Sequence, residues 1–241
     1  MNRANVLNRL HERVKQNRWM RYFAVVNRIA LALGFIPSGY VKIAGERFTD
    51  LSSNHPMGHY LEALYHTGYY YTFIGVAQMT AAILLLIPRT ATLGALLYFP
   101  IILNITILSF SVRFDGSLLS APLMVLANLY LLCWDYDRLK FILPLAPPPL
   151  HKVAPPPAIQ ANRFPRRFFA GVATTVFLVG LFATNAYDIK PRNRLPDCVS
   201  QCRNNRNPTA CLDFCTCIHT RGQPLHTCLD NYHRATNRKR N

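Results

Sequence analysis

Five apolar runs decide what this chain can fold into: Ile29 to Ala44, Tyr70 to Ile87, Ala91 to Val112, Leu118 to Trp134 and Phe168 to Ala186. A helix rises 1.5 Å per residue, so about 20 apolar residues cover the ~30 Å of bilayer hydrocarbon. The last run is nineteen residues without a charge, one clean crossing. The first is interrupted by Pro37, Gly39 and Lys42 and needs flanking residues from Phe23 onward to span. Pro88-Arg89-Thr90 and Arg113 to Ser117 are connectors short enough for tight antiparallel hairpins. The expected fold is therefore an all-α integral membrane protein, with a four-helix transmembrane bundle, one further transmembrane helix and a small disulfide-stapled helical hairpin.

Composition agrees with the runs. The 241 residues are 51% hydrophobic and 16% charged, against roughly 25% charged in an ordinary soluble domain. Lys and Arg number 27 against 11 Asp and Glu, a formal charge of +16. In a soluble protein that excess would point first to nucleic acid. Here the cations gather outside the apolar runs, in residues 1–28, 135–167 and 187–241, which fits membrane topology and anionic headgroups, and no nucleic-acid partner is expected.

The organisation that follows is a basic amphipathic segment, 1–27, lying on anionic lipid headgroups, then a four-helix domain, 28–137. A proline-rich linker, 138–167, leads to the fifth helix, 168–186, and a cysteine-rich tail, 187–241. Glu46 to Gly68, with three histidines among tyrosines, reads as an interfacial loop. Residues 1–28, Arg89 and the 135–167 linker fall on one side and hold fourteen Lys and Arg, against Arg47 and Arg113 in the opposite loops. Positive charge accumulates on the cytoplasmic side. The N-terminus is thus expected on the cytoplasmic or matrix side of a bacterial or mitochondrial inner membrane, and the tail on the periplasmic or intermembrane-space side.

Several stretches carry a family resemblance. They are Gly34-Phe35-Ile36-Pro37-Ser38-Gly39-Tyr40-Val41-Lys42, Gly75-Val76-Ala77-Gln78, Leu84 to Arg89 through Ile87-Pro88, Asn104, and Trp134-Asp135. Leu33 to Asp137 resembles the DoxX-like four-helix membrane proteins, although Gln78 stands where many of those relatives place a Glu. The resemblance implies a subunit of a quinone-reducing or thiol-linked redox assembly, or a scaffold for membrane partners.

Lys42, Gln78, Asn104 and Asn128 fall one on each helix of the bundle. Polar groups are costly in hydrocarbon and are expected to face inward, where they fix packing by hydrogen bonds or line a site for a quinone-like headgroup. His55, His59, Glu62 and His66 have near-helical spacing but match no zinc signature, and Pro56 sits inside the first pair. Cys133, alone in an apolar helix, is expected as a small core residue.

The tail has the most specific spacing: Cys198-x3-Cys202, eight residues, Cys211-x3-Cys215, then Cys217 and Cys228. Cysteines at i, i+4 share a helix face. Two short antiparallel helices would pair Cys198 with Cys215 and Cys202 with Cys211, leaving Cys217 for Cys228. The pattern is similar to twin Cys-x3-Cys hairpins of the mitochondrial intermembrane space. Zinc held with His219 or His226, and redox-active thiols, are the other readings of the cluster. Phosphate-binding glycine loops, catalytic dyads and a dinucleotide fingerprint are absent from the sequence. The expectation is an accessory subunit assembling with other membrane-complex subunits, or else a quinone-binding subunit of an oxidoreductase.

Overall fold

The computed structural model describes residues 11–12, 14–142 and 163–238. Among them there is no β-strand, and five helical stretches are long and apolar enough to cross a membrane. The spanning helices are α1 (Arg18–Ile43), α3 (Tyr69–Leu86), α4 (Ala91–Ser111), α6 (Ser120–Trp134) with the short α5 (Asp115–Leu118) running into it, and α8 (Arg166–Asn185). Between them lie α2 (Pro56–Tyr65) and α7 (Tyr136–Ile142). The tail contains α9 (Leu195–Ser200), a 3-10 turn (Gln201–Asn204), α10 (Pro208–His219) and α11 (Leu225–Arg238).

Two boundaries differ from the sequence expectation. Residues from Arg18 onward do not lie apart on the surface but begin α1, capped by the Asn17 side chain, which accepts from the Trp19 and Met20 amides at 2.9 and 3.4 Å. No glycine or proline separates Arg18 from Arg28, so nothing stops the helix once it is capped. Residues 1–10 of the expected surface segment lie outside the described residues. The second difference is α2, inside what reads as a loop. Pro56 takes the first helical position, where its missing N–H costs nothing, and the His55 ring caps the turn.

The four bundle helices close a ring, α1 against α3 and α6, and α4 against α3 and α6. Small residues set the spacing. A Cβ on Gly75 would lie 2.8 Å from the Gly39 carbonyl, and one on Gly94 2.6 Å from the Leu85 nitrogen. Such close backbone approach is how membrane helices associate when lipid is as apolar as their side chains. The core between them contains Leu31, Phe35, Leu85, Tyr98, Ile102 and Leu131, with the Phe35 and Tyr98 rings stacked at 3.6 Å. Val26, Leu33, Phe73 and Ile107 point outward, as a lipid-facing surface requires.

The tail has a separate core. Ile189, Phe214, Ile218 and Tyr232 surround disulfides joining Cys198 to Cys215, Cys202 to Cys211 and Cys217 to Cys228. The proline runs of the linker fall outside the described residues.

Candidate functional site

The polar residues of the bundle divide into separate places. Lys42 donates to the Ser38 hydroxyl at 2.8 Å and the Ser38 carbonyl at 3.0 Å, and the Ser38 hydroxyl donates to Gln78 Oε1 at 3.2 Å. The ammonium lies 4.1 Å from the Phe48 ring centroid. Lys42 and Gln78 therefore share one buried cluster between α1 and α3. Asn128 is fully buried on the other side of the bundle, where its amide donates to the Ala95 carbonyl at 3.0 Å and its Oδ1 has no protein partner among the described residues. Asn104 does not join them. It is exposed on the outer face of α4, because the inward stripe of that helix is set by Tyr98, Ile102, Thr106 and Ser109. Cys133 likewise faces outward rather than into the core.

The histidines do not converge. His55 is buried and is spent on capping, its Nδ1 accepting from the Met57 and Gly58 amides at 3.1 and 3.4 Å. His59 is exposed, while Glu62 pairs with Arg47 at 2.7 Å and with His66 at 3.1 Å. Among the described residues the grouping with metal-ligand proximity is Cys202, Cys211 and Cys215, whose sulfurs are already in disulfides.

A further polar arrangement is one that sequence reasoning missed. It joins the tail to the end of the bundle where α1, α4 and α8 finish. The Asp115 carboxylate receives Lys190 at 3.2 Å and Arg192 at 3.0 Å. Lys190 also donates to the Ala183 carbonyl at 3.0 Å, and Gln201 donates to the Lys190 carbonyl at 2.7 Å. Arg113 donates to the Ile189 carbonyl at 2.9 Å and covers the Tyr187 ring, whose hydroxyl donates to the Phe110 carbonyl at 2.8 Å. Arg113 and Arg192 both hold positive φ, 53° and 55°. That conformation is costly for residues with a side chain, and it persists here under the contacts on both sides.

The second arm of this junction runs through α2. Asn54 donates to the His219 carbonyl at 2.9 Å, and the His55 and His219 rings lie 6.0 Å apart. His219 Nε2 donates to the Pro191 carbonyl at 2.8 Å. Burial, reinforced by His219, pushes the His55 pKa down from 6.5 to about 4. The neutral ring is also what the cap requires, since a protonated Nδ1 accepts nothing. The signal for this junction was present in the sequence. Asp115 is an acid in a short loop, and Lys190 and Arg192 follow the fifth helix directly. Read for topology alone, these charges are counted by side and not matched to one another.

Bundle, outlying helix and docked tail together define an all-helical protein with five helices long and apolar enough to cross a membrane, as in a multi-pass membrane protein, and with a disulfide-stapled module fixed to one end. The chain is 35% identical over 127 residues to "Uncharacterized protein YwoB" of Bacillus subtilis (strain 168), a match covering 48% of this chain and 77% of that protein, and it belongs to the same family. No family model matches the chain, and no solved structure matches it.

Proposed function

We propose that this chain is a non-catalytic accessory or assembly subunit of a redox or respiratory membrane complex, and that its tail is the partner-binding module. The observation that carries this is the junction: the stapled tail is held to the bundle by Asp115, Asn54 and Arg113 and so presents a fixed face to a partner. Ordering in advance lowers the entropic cost of assembly. Charge asymmetry supports an N-terminus on the cytoplasmic or matrix side of an inner membrane and a tail on the opposite, oxidising side, where disulfides persist. The redox setting rests on the DoxX-like resemblance. Native electrophoresis of the chain, solubilised gently from its own membranes, is expected to show a species well above the chain's 27.4 kDa. Asp115→Lys, which repels Lys190 and Arg192, is expected to collapse that species toward the single chain. A wild-type chain that runs alone after chemical cross-linking rules the proposal out.

One observation favours a second reading, a quinone-binding subunit. Lys42 is a buried ammonium held with Ser38 and Gln78 and with no carboxylate among its described partners. A quinone oxygen would find a cation and an amide there. In that case a quinone analogue binds the purified chain, Lys42→Met abolishes binding, and Asn104→Leu leaves it intact.

A further inference from the structure

The fifth helix meets the bundle at its two ends and parts from it between them. Near its start Phe168 and Phe169 lie against Phe23, at ring distances of 5.4 and 5.5 Å. Near its end Phe182 lies 5.9 Å from Phe110, and Ala183 is buried. In the first half of α8, Gly171, Val172 and Thr175 face Ala30 and Ala127 across an almost wholly apolar groove of about 660 Å³ that opens to the bilayer. Among the described residues nothing lies within 4 Å of where a Gly171 side chain would begin, so the gap there is open space. The α8 residues lining it run from Arg167 to Val176. At the helical rise that is about 14 Å, close to the depth of one leaflet of a ~30 Å hydrocarbon core.

Charge at the mouth identifies the occupant. Arg167 lines the groove and is exposed at the end of the bundle where α1 begins. Two acids at that end of the bundle are paired with other groups, Asp135 with Arg28 at 3.4 Å and Thr92 at 2.9 Å, and Asp137 with Lys15 at 2.6 Å. Among the described residues no carboxylate pairs with Arg167. A partner helix is a poor fit. It is about 10 Å across with its side chains and must continue through the other leaflet, where Phe110 and Phe182 close the space.

We infer that this groove binds one anionic phospholipid from the leaflet on the N-terminal side, with an acyl chain laid along α8 and its phosphate beside the Arg167 guanidinium. The planar fork of the guanidinium matches phosphate oxygens in pairs. Bound there, the lipid fills the gap that leaves α8 otherwise unsupported in its first half.

The test is native mass spectrometry of the purified full chain, in micelles holding phosphatidylglycerol and phosphatidylcholine of the same acyl composition in equal amounts. The wild-type chain is expected to retain one phosphatidylglycerol in preference. Arg167→Gln should lower that preference about fivefold, the factor that a single cation beside an anionic headgroup is worth. Arg166→Gln, one position around the helix and outside the groove, should leave it unchanged. Gly171→Leu fills the space and should remove both lipids, with helicity by circular dichroism as the control for folding. Equal retention of the two lipids by the wild-type chain overturns the inference. So does an Arg166→Gln effect equal to that of Arg167→Gln, which would reduce the preference to general surface charge.

Discussion

The bundle and the tail solve one problem, how to hold helices together, under opposite conditions. In the bundle, lipid is as apolar as the side chains, so helices gain little by leaving it. They associate because Gly39, Gly75 and Gly94 let backbones touch and because polar groups such as Ser38 and Asn128 find partners on neighbouring helices. The tail sits outside the bilayer helices, but a module this short cannot bury enough surface to support itself. Its three disulfides supply what burial does not. The difference teaches that one chain carries two independent sources of stability, which separate perturbations should remove one at a time.

Reduction should break the comparison most visibly. Each disulfide is worth about 2 to 4 kcal/mol by constraining the unfolded chain. Reducing agent, or Cys198→Ser with Cys215→Ser, is expected to raise amide hydrogen exchange across 195–238 to near-unfolded rates while α1, α3, α4 and α6 keep their protection. Loss of protection in the bundle at the same time would mean that the tail holds the bundle together.

The converse substitution is Gly75→Leu. Its Cβ alone would sit 2.8 Å from both the Gly39 carbonyl and Lys42 Cβ. Overpacking of this kind costs about 1 to 3 kcal/mol. The variant should lower the thermal midpoint of the bundle in detergent and leave the tail disulfides, read by intact mass with thiol blocking, unchanged.

Acid sharpens the boundary between the two regions. The folded His55 pKa is held near 4 where the free side chain titrates near 6.5. As pH falls through 6.5 the unfolded form takes the proton first, so the contribution of His55 is complete above 6.5 and fades as pH falls toward about 4. By pH 5 the loss should be on the order of 1 to 2 kcal/mol, at about 1.4 kcal/mol per pKa unit. Exchange at the Met57 and Gly58 amides, which the ring caps, should therefore rise between pH 7 and 5. His55→Asn keeps a capping oxygen without a titrating group and should flatten that dependence.

How much of this was legible follows from what each signal depends on. Spans are legible because long apolar runs have few other uses, and the tail spacing is legible because i, i+4 cysteines share a helix face. The start of α1 is hidden because Arg18 to Arg28 has helical residues but surface-like charge, and only the Asn17 cap decides the matter. Asn104 misleads because polarity alone predicts inward orientation, whereas α4 carries enough other small and polar residues to turn a different stripe inward. The Asp115 junction depends on pairing residues 75 or more positions apart, and no local pattern reports that.

The smallest expected effect probes the polar side of bundle packing. Among the described residues Asn128 makes one interhelical hydrogen bond, to the Ala95 carbonyl, and its buried Oδ1 has no protein partner. The gain from the one is offset by the desolvation of the other. Hydrogen bonds between membrane helices average about 0.6 kcal/mol even when fully made. Asn128→Ala should therefore shift the unfolding free energy in detergent by less than about 1 kcal/mol, well below the Gly75→Leu effect. A larger loss would show that polar bonding, and not backbone proximity, carries the bundle.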